Sequence, residues 1–208
     1  MHEITLYQAL ILFSWFPLSF MMVVMMLIGR FYTRFSGRRT DWQYLVVPLI
    51  LYAIATVREA RSGFPGDPLS DLIQAVAGVA VLFLVMRLYR WMMFSPPPAL
   101  TEPPSTTFIA LPLLSAAALG VIGPLGIAFL LWALGRFSHQ MHHILQGRSY
   151  YYGYYVAAAL VTAAAILRLP VVFFPEWAVF YAALMVIGCG LGAMMSWRAW
   201  SWLLAERE

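Results

Sequence analysis

The chain has 208 residues, 62% hydrophobic and 11% charged, with a formal net charge of +4 and a mean hydropathy of +0.78. A soluble domain carries about 25% charged and about 45–50% apolar residues, so 13 basic and 9 acidic side chains cannot cover a water-soluble globule of this size. That excludes a soluble enzyme, a disordered tail and a nucleic-acid-binding module. All 13 basic residues are arginine, so a lysine Schiff base, and with it a retinal photoreceptor, is excluded too.

A membrane-crossing helix needs about 20 mainly apolar residues, and six segments qualify. The expected fold is all-α: a polytopic integral membrane helix bundle forming one transmembrane domain over residues 1–208. The first span runs from Leu6 to Ile28 and enters the arginine-rich Gly29–Arg39 stretch. No basic region precedes it and no small-residue cleavage site follows, so it is read as a retained span and not a signal peptide. The second, Trp42 to Val57, carries Pro48 as a candidate kink. The third, Leu69 to Leu88, closes on Arg87, Tyr89, Arg90 and Trp91, an aromatic and cationic boundary. Residues 93–107 contain Pro96, Pro97, Pro98, Pro103 and Pro104 and read as an extended linker between halves 1–92 and 108–208. The fourth span, Phe108 to Leu134, holds Gly123-Pro124 as a second kink site. The fifth runs from Tyr151 to Leu167 and the sixth from Trp177 to Trp197, with an interfacial continuation through Trp200 and Trp202. Beyond a polar loop after the first span of each half, the two halves show no alignment.

Six spans put both termini on one face. Arginines divide seven to six between the faces, and the cluster Arg30, Arg34, Arg38 and Arg39 favours both termini outside.

Ionisable groups at mid-membrane mark function, because they are costly there. The span interiors read as free of them: Glu59, Asp71 and Glu176 fall near span ends, within reach of water or headgroups. That pattern argues against a proton pump or an ion-coupled antiporter. His139, His142 and His143 share a helix face and are the candidate metal ligands, with His2 or Glu3 completing the set if both meet in one aqueous layer. The competing reading is a wetted polar cap. Met21, Met22, Met25 and Met26 stack one turn apart, which suits core packing better than a copper path. Cys189, the only cysteine, reads as a buried thiol.

Gly188 with Gly192, Ala116 with Gly120 and Gly153 with Ala157 form small-residue pairs that let helices approach closely, within the chain or against another subunit. Tyr150, Tyr151, Tyr152, Tyr154 and Tyr155, with Trp197, Trp200 and Trp202, are expected to anchor the membrane interface. There is no HExxH and no phosphate-binding loop, so no enzymatic activity is assigned. The expected role is an accessory subunit of a larger membrane assembly, such as an energy-converting one; the alternative is a small transporter or ligand-binding module for a neutral or hydrophobic solute. Expected partners are the lipid bilayer and other membrane subunits but no nucleic acid. No cofactor is expected beyond bound lipid.

Overall fold

A computed structural model describes residues 5–36, 42–62, 67–93, 116–145, 151–171 and 174–200. It is an all-α bundle, with no strand among these residues. The helices are α1 (Leu6–Ser36), α2 (Val46–Ser62), α3 (Pro68–Met93), α4 (Ala116–Leu145), α5 (Tyr151–Val171) and α6 (Ala178–Trp200). Short 3-10 turns, Trp42–Leu45 and Pro175–Trp177, lead into α2 and α6. All six segments are long and apolar enough to cross a membrane. Large apolar side chains such as Phe13, Phe16, Ile50, Phe83, Ile166 and Phe180 stay more than half exposed on the outer surface, which suits hydrocarbon.

Two element boundaries move. The described part of the fourth helix begins at Ala116 and runs to Leu145, a turn or more beyond the expected end, and Gly135 and Phe137 continue its buried stripe. The linker 93–107 and residues 108–115 lie outside the described residues, apart from Met93 at the end of α3. Pro48 does not kink α2. It is the third helical residue, where the missing N–H would have had no partner in the helix. Pro124 does sit inside α4, buried and facing inward, and Pro17 and Pro170 lie inside α1 and α5.

The helices close a ring in chain order, with α6 returning against α1. Four seams are antiparallel. The other two are parallel. Along α3 and α4, Asp71 is level with Gly120, Gln74 with Gly123, and Tyr89 with Trp132 and Phe137. Along α1 and α6, Met21 meets Gly192 and Phe20 meets Trp197. The α3–α4 seam is glycine on glycine: a Cβ built on Gly78 would lie 2.6 Å from the Ile122 carbonyl oxygen, and one on Gly126 would lie 2.6 Å from Gly78 Cα.

Because α3 and α4 point the same way, the chain leaves α3 at one end of the bundle and enters α4 at the other. Leu6 and Trp200 are therefore at opposite ends, not on the shared face that an even count of spans implied. The parallel seams also expose a repeat that linear comparison missed. Each half runs up, down and up. Gly29-Arg30-Phe31 recurs as Gly135-Arg136-Phe137, and each glycine receives the aromatic start of the next segment, Trp42 in one half and Tyr154 in the other. Glu59 and Arg168 each stand three residues before the end of their half's middle helix. Asp71 and Tyr181 are each the fourth residue of the third.

Candidate functional site

Each helix buries one stripe at three- and four-residue spacing, and four stripes carry a polar residue inward near the same end. In α2 the stripe is Pro48, Tyr52, Ala55, Thr56 and Glu59. In α5 it is Tyr154, Ala157, Val161, Ala164, Ala165 and Arg168. In α3 it begins Ser70, Asp71 and Gln74, and in α6 Ala178, Tyr181 and Ala182. The result is a cluster at what we term the polar end. Glu59 is 0% exposed, and Arg168 and Asp71 are each 2% exposed.

The Arg168 guanidinium is the hub. Its Nη2 lies 2.7 Å from Asp71 Oδ1 and 3.0 Å from Glu59 Oε1. Glu59 accepts two further bonds: the Tyr7 hydroxyl donates to Oε1 at 2.5 Å and Gln74 Nε2 donates to Oε2 at 2.7 Å. The Tyr181 ring lies under the guanidinium, 4.9 Å from Cζ to centroid, a favourable cation–π placement. Ser70 Oγ donates to the Ala55 carbonyl at 2.9 Å and clamps α3 to α2 at this level. α4 supplies the space: a Cβ on Gly120 would stand 3.2 Å from Arg168 Nε and 3.3 Å from Asp71 Cγ. Pro124 lacks the N–H that would bond the Gly120 carbonyl, which leaves that carbonyl without its helical donor. All six helices thus meet at one buried ion cluster, and Arg168 Nη1 is buried there without a partner. Burying ions costs several kcal/mol each unless they are paired and hydrogen-bonded, so an idle buried donor is a marked feature.

This overturns the expectation of charge-free interiors. Glu59 and Asp71 are near their helix ends in sequence but face the bundle, away from headgroups. Glu176 is exposed, as its position suggested. The outward pair Arg58–Asp67, 2.5 Å apart, is the wetted contrast. There the hydrogen bond from Arg58 holds the Asp67 carboxyl below its usual range.

The other candidate residues fall in several places. His139 is half-buried with its ring edge-on to Tyr151 at 4.7 Å. The side chains of His142 and His143 lie outside the described residues, and among the described residues no metal-ligating group of three forms. Gly120 is level with Tyr7 at the polar end, so His139, 19 residues further along α4, is roughly 28 Å away at about 1.5 Å per residue. His2 and Glu3 lie outside the described residues.

Tyr154 is a correction: it is fully buried and donates to Ser196 Oγ at 3.1 Å, so it is a core residue and not an anchor. Trp200 is likewise buried, whereas Trp197 and Tyr152 are exposed. Tyr151 and Tyr155 are half-buried with their rings edge-on to one another, and Tyr150 and Trp202 lie outside the described residues. Met21, Met22 and Met25 are fully buried core, as is Cys189.

The small-residue pairs work inside the chain. A Cβ on Gly188 would lie 2.7 Å from Val161 Cγ2 and 3.2 Å from the Ala157 carbonyl, one on Gly153 would lie 2.6 Å from Met195, and Gly192 is pressed by Leu131 and Met21. The side chain of Ala116 lies outside the described residues. Gly123 turns its carbonyl to the Tyr52 hydroxyl at 2.7 Å, which ties α2 to α4 beside the Pro124 break. Comparison with known protein families, curated proteins and solved structures finds no match.

Proposed function

We propose that the chain is a membrane transport module for a small solute, with α1–α3 and α4–α6 as its two moving halves and the Glu59–Arg168–Asp71 cluster as the closure of one end. The observation that carries this is that the acids belong to one half and the one buried cation among the described residues to the other, with Arg168 Nη1 left without a partner among those residues. Intramembrane ionisable residues are functional sites by default. Parallel repeats about an axis along the membrane normal are a recurring transporter architecture, with sites where the repeats meet. The inward-facing Pro124 break adds to this reading.

The accessory-subunit reading has less behind it. The small-residue pairs that motivated it are consumed by contacts within the chain. Bound lipid fits an outward groove of about 660 Å³ lined by Ala53, Ile54, Val57, Arg58, Arg61, Ser62 and Asp67. We also propose an orientation. With the helix directions assigned, among the described arginines Arg30, Arg34, Arg87, Arg90, Arg136 and Arg198 gather at the end opposite the cluster, and Arg58, Arg61 and Arg168 lie at the cluster's end. Arginine excess marks the cytoplasmic side, so the polar end faces outside and Trp200 inside.

Cys189 is the built-in probe, since it is fully buried beside Tyr52 between the halves. In liposomes, N-ethylmaleimide should label it slowly in the wild type and at least several-fold faster in Glu59→Gln, which weakens the cross-link. Equal slow labelling in both proteins, each still folded by circular dichroism, would show that the halves do not part and would sink the transport reading.

A further inference from the structure

We propose that Asp71 is a proton-binding residue: its carboxyl is protonated in the closed bundle and releases the proton to water when the polar end opens, making the proton a co-substrate of transport. The inference rests on the transport reading above and adds the coupling ion to it.

Two acids face one guanidinium in a buried space, and they are not equivalent. Glu59 accepts hydrogen bonds from Tyr7 Oη and Gln74 Nε2 and has Arg168 Nη2 3.0 Å from Oε1 as an ion pair, so these contacts are all with donor groups. Donors aimed at both oxygens hold a carboxylate in its ionised form. Glu59 and Arg168 therefore make the neutral pair. Among the described residues Asp71 receives Arg168 Nη2 alone, on Oδ1. Both acids draw on the same nitrogen while Nη1 stays unpaired and buried. An ionised second carboxylate would take the two-pronged grip that a guanidinium offers. The idle Nη1 is what remains when the second acid carries no charge. With both acids ionised, the cluster would hold an uncompensated negative charge inside the membrane.

Among the described residues the surroundings supply no other compensation. α1 brings Tyr7, α2 Glu59, α3 Asp71 with Gln74, α5 Arg168 and α6 Tyr181, while α4 brings Gly120 and no ionisable group. Neither tyrosine is a cation. Loss of the Asp71 proton thus charges the cluster and favours its hydration, so opening is linked to deprotonation. Only the O–H bond breaks, and water at the polar end takes the proton.

Two readouts test this. Infrared spectra of the reconstituted wild type at neutral pH should show the carbonyl stretch of a protonated carboxylic acid, sensitive to deuterium exchange, lost in Asp71→Asn and shifted to lower frequency by carbon-13 labelling of the aspartate carboxyls but not of the glutamate carboxyls. Absence of the band, or its shift on glutamate labelling instead, overturns the assignment. The rate of Cys189 labelling, divided by that of a free thiol such as glutathione at the same pH to remove the thiol's own titration, should rise with pH in the wild type and be independent of pH in Asp71→Asn. A normalised rate that follows sodium and not pH, or a pH dependence of that ratio that survives in Asp71→Asn, overturns proton coupling. If Cys189 labels but the band is absent, the proton assignment fails while transport stands. If the band is present but Cys189 never labels in any variant, the transport reading fails, and proton exchange with it.

Discussion

Arg168 is the only described arginine that is buried; Arg30, Arg34, Arg58, Arg61, Arg87, Arg90, Arg136 and Arg198 are all exposed. Its energetic weight follows from that difference. Replacing it by methionine strands Glu59 among donors that no longer balance its charge, and breaking a buried ion pair from one side costs about 3–5 kcal/mol. Arg58→Ala removes an ion pair of similar length, but Arg58 is 46% exposed, and such wetted pairs contribute within about 1 kcal/mol. Denaturant unfolding in mild detergent should therefore separate Arg168→Met sharply from Arg58→Ala. Similar losses for both would mean that water reaches the cluster. The Arg58 pair also has a definite pH direction. The Asp67 carboxyl is held below its usual range, so its small contribution is present at neutral pH and is lost as pH falls through that lowered value.

Among the helices, the α3–α4 seam is the tightest and the least visible from sequence. Gly126→Ala would push a methyl into the Gly78 backbone, which cannot yield as a side-chain tip can, and overpacking of this kind costs about 1–3 kcal/mol or more. Gly190 has nothing within 4 Å of the corresponding position. Gly190→Ala should be neutral or stabilise by up to about 1 kcal/mol through helix propensity. Paired thermal melts of the two variants check the contrast, and a neutral Gly126→Ala would mean that the seam is looser than described.

The six spans and the small-residue packing were legible because apolar length and Gly/Ala spacing are local signals. The ion cluster was legible in principle, since Glu59 falls at the i+3 and i+4 positions of the stripe through Tyr52, Ala55 and Thr56, and Arg168 continues that of Val161, Ala164 and Ala165. Distance from a span end was the wrong measure; helical face was the right one. Tyr154 was misread for the same reason, its neighbours being wetted while its own face is not. The parallel seam was not legible, because no local signal says which way the next helix points.

For the whole molecule, helix direction determines how charge is distributed. Were α4 antiparallel to α3, the arginines would divide almost evenly. With the two parallel, they collect at the Trp200 end. A green fluorescent protein fused after Glu208 should then fluoresce, and alkaline phosphatase fused at the same point should be inactive. The reverse pair of results would place the polar end in the cytoplasm and put the Asp71 proton on the other side of the membrane.

Asp71 and Arg168 are 97 residues apart in the chain, and that separation has a consequence in time. A ribosome adding about 5–20 residues per second completes Asp71 some 5–20 seconds before it supplies Arg168. Throughout that interval α2 and α3 hold two acids with no buried cation to meet them, and α2 is also the least apolar of the six spans. The first half is therefore an unfinished object in the bilayer. It has to wait at the water boundary, or in the care of the insertion machinery, until α5 arrives and lets its polar end sink.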